Sequence, residues 1–382
     1  MKTDKFASYA LIDLDNLAHN LATVRKKLNG TDILAVVKAD AYNHGAVQVA
    51  KKLYSLGVSH FAVANIDEAL ALRSCGVGGM ILVLGPMLPT RYGDAVEADV
   101  SVTADSIATL SSLDKYTKAS GNEVKFHMAL NTGKNRIGFR ADGKPSDELD
   151  IAAEMIKNNK KMIPEGIFSH LCDADNEDTS FTDKQYERFL SAVNTLSEKG
   201  IDFRFRHICN SAGTLKYPSF HCDLVRFGIG LYGCEDTENG LLPVMSFKTH
   251  IAQISMVKCG EPIGYGLTYV AKKDMKIATV TAGYADGFNR KLSNNGEVLI
   301  RGKRAPIVGR VCMDMTMVDI SDIPEASLFD DVTIIGKDGT QCITAEEVAA
   351  RCDTISYEIL CGIGKRVNRL YIENGRLANT DI

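Results

Sequence analysis

Hydrophobic positions along the 382-residue chain fall into two textures. From about residue 30 to about residue 230, short apolar runs alternate with stretches of helical period. The runs are Ile33–Lys38, His60–Ala64, Met80–Gly85, Val100–Thr103, Glu123–Leu130, Gly166–Leu171, Phe203–Cys209 and Leu224–Gly228. Leu17, Leu21, Val24 and Leu28 recur at helical spacing and stop at Gly30; Tyr186, Phe189, Val193 and Leu196 do the same before Gly200. That spacing is the signature of an amphipathic helix with a C-terminal glycine. Eight strand-like runs separated by helices predict a (β/α)8 barrel of the TIM type. The fourth run is short and the seventh carries Arg204 and Arg206, so these two fit the pattern least well.

Beyond about Gly233 the texture changes. Thr249–Val257, Lys276–Thr281, Glu297–Ile300, Ala305–Arg310, Met317–Ile320 and Asp331–Gly336 read as short strands. Turn signals such as "NNG", "RGK" and "KDG" separate them, and one late helix is expected at Ala345–Cys352. The predicted fold class is therefore α/β: a barrel over residues 11–236, then a mostly-β domain over 237–382. Residues 1–10 are expected to pack with the second domain, the early strand Ser8–Leu14 joining its sheet.

Composition narrows the class of function. The chain is 45% hydrophobic and 24% charged with a net charge of −4, acids and bases interspersed. No basic stripe points to nucleic acid and no polybasic segment to a membrane surface. No apolar run reaches the roughly 18 residues of a spanning helix, and the N-terminus lacks the apolar core of a signal peptide. Ten scattered cysteines without a C-x-x-C pair suggest reduced thiols in a cytoplasmic protein and no metal site. Cys172, Cys209, Cys312 and Cys361 lie in apolar contexts and are expected to pack as small hydrophobes.

In barrels of this type catalytic groups sit at the C-terminal ends of strands. Lys38 ends the first run, "LNTGKNRIG" follows the fifth, and His170 ends the sixth. Cys209 to Ser211 end the seventh, and Arg226 lies in the eighth. A lysine at such a mouth can bind an anion or form a Schiff base with a carbonyl compound. The glycines of "RFGIG" leave backbone N–H groups open to a phosphate, although glycines serve tight turns as well. Taken singly, each of these residues has an ordinary structural alternative: a core histidine, a sheet tyrosine, a surface arginine. Their convergence on one face favours chemistry.

Eight segments in chain order carry a resemblance: "AVVKADAYNHG", "NTGKNRIGF", "FSHLCDAD", "NSAGT", "LVRFGIGLYG", "GYGLTY", "GYADGFNRKLSNNGEVLIRGKRAPIVGRVCMDMTMVD" and "TISYEILCGIGKRV". Together they span nearly the whole chain, and the sequence resembles the alanine racemase family of pyridoxal-phosphate enzymes. The resemblance implies a homodimer with shared sites that interconverts L- and D-alanine for the cell wall. Lys38 would hold pyridoxal 5′-phosphate and act as one base. Tyr265, from the other subunit, would be the second base, its ionised form favoured by a chain through His170 and Arg226. Arg226 would donate to the cofactor's pyridine nitrogen and leave it unprotonated, which limits side reactions. Tyr42, Ser211, Gly228, Ile229 and Tyr357 would bind the phosphate. Arg136 would reach the cofactor's phenolic oxygen and the substrate carboxylate, and Met313 would offer its backbone N–H to that carboxylate.

The chain departs from the family pattern at four positions. Many members have a carbamylated lysine where this chain has Ala129, which leaves Arg136 without that anionic partner. Asn131 stands for a usual aspartate and Lys134 for a usual methionine, so local charge moves in the positive direction. The loop is therefore expected to bind the substrate carboxylate more electrostatically, or to admit serine. Asn43 stands for a usual glycine and is expected where φ is positive. Two alternatives remain beside the racemase. A related barrel decarboxylase would carry glutamate in place of Arg226. A single-domain pyridoxal-phosphate carrier would lack the β-domain that holds Tyr265.

Overall fold

The computed structural model describes residues 5–144, 146–234 and 239–378. The expected domain boundary at 236/237 lies outside the described residues. The chain divides into two compact units. One comprises Leu21–Ala41 and Ala46–Leu231; the other comprises the chain up to Asn20, Tyr42–Gly45 and the chain from Tyr232 onward.

In the first unit the eight predicted runs become eight parallel strands. Leu224–Phe227, Asp32–Val36, His60–Val63 and Met80–Val83 pair in that order, as do Val102–Ala104, Val124–Asn131, Met162–Phe168 and Phe205–His207. A parallel bridge between Leu82 and Ser101 joins the two sets on one side. On the other, the backbone N–H groups of Asp223 and Arg226 donate to Arg206 O (3.1 Å) and Cys209 O (3.0 Å). The strands thus close into the expected barrel. Parallel strands covered on both faces read as nearly unbroken apolar runs, which is why periodicity located them. The short fourth strand is three residues long. In the seventh, Phe205 and His207 are buried and Arg206 is exposed, paired to Asp223 through Nε–Oδ2 (2.7 Å). The charge there marks the outward face of a period-two strand. The helix Ser180–Glu198 buries Phe189, Val193 and Leu196 as predicted, while Tyr186, the first of that series, is half-buried.

The first strand ends sooner than expected. Asp32–Val36 is the strand, and Lys38–Asn43 forms a single helical turn. From Ala39 to Asn43 every φ is positive, between 52° and 69°, so the turn is left-handed. For L-residues that conformation costs roughly 1–2 kcal/mol each. Local hydrogen bonds offset it. Glu68, in the helix Ile66–Ser74, accepts from Ala39 N (2.8 Å) and Ala64 N (2.7 Å), and Asp40 accepts from Ala46 N (2.7 Å). Asn43 has φ of 69°, as expected for a position that suits glycine.

In the second unit the strand Ser8–Asp13 lies between Met245–Val257, antiparallel, and Asn368–Glu373, parallel. Asp331–Asp338, Glu297–Ile300 and Lys303–Pro306 extend the sheet, while Met275–Val280 and Thr316–Asp319 branch from it. The helix Ala345–Cys352 is capped by Thr344, whose hydroxyl accepts from Glu347 N (3.1 Å). The strand Asn368–Glu373 and the short helix Ser356–Cys361 carry no strong periodicity and were not predicted.

One expectation about cysteines is corrected. Cys209 is buried, but Cys312 is half-buried and Cys172 and Cys361 are exposed. Cys172 follows the end of its strand, where its N–H and thiol both meet Gln185 Oε1 at 3.0 Å. Among the described residues no helix is long and apolar enough to cross a membrane, and no cluster of histidine, cysteine and carboxylate side chains is placed to hold a metal.

Candidate active site

The buried Arg226 guanidinium organises the mouth of the barrel. Its NH1 donates to His207 Nδ1 (2.8 Å) and His207 O (3.0 Å). Its NH2 donates to Ser169 O (2.6 Å), Ile208 O (2.9 Å) and His170 Nδ1 (3.1 Å). Its Nε–H has no partner among the described residues. Burial pulls this guanidinium down to about 10, so it still holds its proton at neutral pH. His170 lies well below the ordinary histidine value, first through burial and then through the charges of Arg226, Arg136, Lys134 and Lys38. A neutral His170 that accepts at Nδ1 carries its hydrogen on Nε2.

Four cations therefore gather around one neutral imidazole. Lys38 opens the left-handed turn after the first strand. Lys134 and Arg136 belong to the loop that follows Val124–Asn131, and the loop is built by an amide. Asn131 Oδ1 accepts from Gly133 N (3.1 Å) and Asn135 N (2.9 Å), and its Nδ2 donates to Asn135 Oδ1 (3.1 Å). An amide thus shapes the turn without adding a negative charge. Ala129 is buried, and Lys134 and Arg136 make no hydrogen bond or ion pair among the described residues.

Beside Arg226, the buried Ser211 hydroxyl accepts from Gly228 N (3.0 Å) and Gly230 N (3.2 Å), with Ile229 buried between them. The hydroxyl hydrogen remains available to an anion. In the second unit Tyr42 packs against Tyr232 and Tyr357, ring centroids 5.0 and 5.9 Å apart. Tyr265 is 70% exposed. It sits at the tip of the hairpin Pro262–Ile263 and Tyr269–Val270, between Gly264 and Gly266, whose φ values of 75° and 71° turn the chain outward. Met313 is exposed as well. Periodicity did not single out His127, His207, Glu165 or Ser101, which continue the contacts of Arg226 into the barrel. The available signal was a polar residue at an inward position of a strand, as in "VKFHMALN" and "FRH".

Comparison with known proteins decides the family. Residues 12–236 match the alanine racemase N-terminal domain, and residues 244–371 match the alanine racemase C-terminal domain. The chain belongs to the alanine racemase family. It is 39% identical to alanine racemase 2 of Caldanaerobacter subterraneus subsp. tengcongensis, over 96% of this chain and 95% of that one. It is 40% identical to the alanine racemase of Halothermothrix orenii, over 95% and 96%. Among solved structures, alanine racemase of Clostridium difficile 630 superposes with a TM-score of 0.91 at 35% identity, covering 98% of this chain and 97% of that one. Alanine racemase of Bacillus anthracis, solved with bound L-Ala-P, gives 0.91 at 38% identity with the same coverage.

Alanine racemases are isomerases that use pyridoxal 5′-phosphate, and the residues at this barrel mouth fit that group. Lys134 and Arg136, which make no ion pair among the described residues, suit a phosphate or a substrate carboxylate. The spare Nε–H of Arg226 is a donor for a ring nitrogen.

Proposed function

We propose that the chain interconverts L- and D-alanine at a site assembled from the barrel of one subunit and the β-rich unit of another. The reading rests chiefly on the four cations, Lys38, Lys134, Arg136 and Arg226, that lie around His170 at the barrel mouth. Lys38 would hold the cofactor, and Ser211, Gly228, Ile229, Tyr42 and Tyr357 would bind its phosphate. Arg136, with Lys134 beside it, would bind the substrate carboxylate, and Met313 N–H would reach the same group from the second subunit. Pyridoxal phosphate, when bound, withdraws electrons from the substrate Cα and makes its proton removable.

Racemisation needs that proton taken from one face and another returned on the opposite face. Lys38 Nζ serves one face. The Tyr265 hydroxyl of a second copy serves the other. A phenol of ordinary pKa near 10 is a weak base at neutral pH. The hydrogen on His170 Nε2 would be its hydrogen-bond donor there. Arg226 supports the racemase over a decarboxylase, because a guanidinium gives up its proton to the ring nitrogen far less readily than a carboxylic acid would.

The exposed apolar residues of the second unit support the shared site. Tyr265, Leu267, Tyr284, Met313 and Met315 are all exposed. They are linked along the backbone: Gly266 abuts Arg310, and Tyr284 N donates to Cys312 O (2.9 Å). Neighbouring exposed apolar residues of this kind suit a partner surface. The reading includes a barrel domain ending near residue 236 and a cytoplasmic setting, in keeping with cysteines that form no disulfide among the described residues. It also includes a supply of D-alanine for peptidoglycan. Serine is the second substrate considered, since Lys134 offers its hydroxyl a polar neighbour. Optical rotation of L-alanine and L-serine with the cofactor-loaded protein tests the reading. Rotation of L-alanine should decay to zero, and a bound visible chromophore with no decay on either substrate would leave only a carrier.

A further inference from the structure

The contacts of Arg226 do not stop at the barrel mouth. His207 Nε2 lies 2.9 Å from His127 Nδ1, and His127 Nε2 lies 3.3 Å from Glu165 Oε2. Ser101 Oγ donates to the same carboxylate oxygen. Both imidazoles are fully buried, and Glu165 is 13% exposed at the far end. Phe168 stacks on His207 and Phe205 on His127, which keeps water from the rings. Gly166 is the register partner of His127, and a Cβ there would lie 2.3 Å from His127 Nδ1. The strand therefore leaves space for this ring to reach its neighbour.

Donor arithmetic fixes the direction of the chain. A guanidinium has hydrogens to give and nothing to accept with. His207 Nδ1 must then be bare, so its hydrogen sits on Nε2. That hydrogen goes to His127 Nδ1, which must be bare in turn, and His127 Nε2–H goes to Glu165. Each link has one possible sense, from the buried cation to a carboxylate. A buried guanidinium without a compensating anion is costly, and hydrogen-bonded networks carry polarisation along their length.

We propose that Glu165, acting through His127 and His207, is the remote counter-charge of Arg226 and sets how strongly Arg226 donates to the cofactor's pyridine nitrogen. These three are positioning residues, since only Arg226 faces the cofactor. The inference rests on the racemase reading above. With the carboxylate in place, His207 Nδ1 is a strong acceptor and the guanidinium's charge is partly neutralised. Without it, the guanidinium becomes a stronger donor, the pyridine nitrogen moves toward its protonated state, and the ring draws electrons harder. Abortive transfer of the amino group to the cofactor then rises: the amino acid leaves as its keto acid, and the cofactor keeps the nitrogen as an amine. A unit charge on the order of 10 Å away at an effective dielectric of about 20 is worth about one pK unit, or about tenfold.

The experiment uses the full-length holoenzyme loaded with 15N-labelled pyridoxal phosphate. Glu165→Gln keeps an acceptor for His127 and removes only the charge. Its pyridine 15N resonance should move toward the protonated position, and keto acid formed per racemisation should rise about tenfold. His127→Gln preserves the sense of the chain, because its amide oxygen accepts from His207 and its amide hydrogen reaches Glu165; both readouts should stay close to wild type. An unmoved resonance and an unchanged ratio in Glu165→Gln would overturn the proposal. Imidazole 15N shifts of the unsubstituted protein give a test that needs no variant. Both His127 and His207 should carry hydrogen on Nε2, and the opposite tautomer at either overturns the chain. Failure of the unsubstituted protein to bind the cofactor would instead overturn the racemase reading.

Discussion

Lys134 and Arg136 stand at the mouth of the barrel as cations without an ion pair among the described residues. A charge-assisted hydrogen bond is worth roughly 1.5–3 kcal/mol, so losing one costs about tenfold or more in binding. Lys134→Met should therefore raise KM for alanine by about tenfold while kcat changes less; steady-state kinetics distinguish that from a loss confined to kcat. The ratio of kcat/KM for serine and alanine in the same variant shows whether Lys134 sets specificity. At Lys38 the expectation is simpler. Lys38→Ala should abolish the visible band and racemisation together, as read by absorption and polarimetry. Residues at strand ends were legible in the sequence because barrel topology says where to look. His127, His207 and Glu165 were not, because a polar residue inside a strand carries no sign of what it meets across the barrel.

Among elements, the left-handed turn after Asp32–Val36 is the least expected. Its residues Ala39 and Ala41 have no local preference for positive φ, and "AVVK" reads as an unbroken strand. What holds the turn comes from outside it, chiefly Glu68 with its two backbone partners. Glu68→Ala leaves the N–H groups of Ala39 and Ala64 unpaired and should cost about 1–3 kcal/mol. Urea denaturation checks the loss, and the same variant should hold cofactor more weakly because Lys38 opens the turn. A stability equal to wild type would mean that the turn needs no support from Glu68. The barrel strands were readable because both faces are covered and apolar. Asn368–Glu373 was missed because its pairing with Ser8–Asp13 joins segments some 360 residues apart.

For the whole molecule, three buried histidines govern the response to acid. His127, His170 and His207 all lie below their ordinary value of 6.5, burial being the largest cause. Below pH 6.5 the unfolded chain takes up protons that the folded one refuses. Stability is therefore intact above pH 6.5 and falls as pH drops toward the lowered folded values, by up to about 1.4 kcal/mol per pH unit for each histidine. Glu165 adds a loss of the same sign at lower pH. Burial raises its carboxyl, but hydrogen bonds from His127 and Ser101 outweigh this and hold it below the usual value. Thermal midpoints measured from pH 8 to pH 5 should decline below about 6.5, and His127→Gln should flatten the slope by about one proton. A flat profile would mean that the histidines are charged in the folded state.

The claim that Lys38 and Tyr265 act from different subunits on one substrate is tested most directly by mixing two inactive variants. Lys38→Ala and Tyr265→Phe should each be inactive alone. After co-refolding in equal amounts, half of the dimers contain one chain of each kind, and each such dimer has one complete site. Racemisation of L-alanine should return to roughly a quarter of the wild-type rate. If both variants dimerise and the mixture stays inactive, the two residues do not share a site.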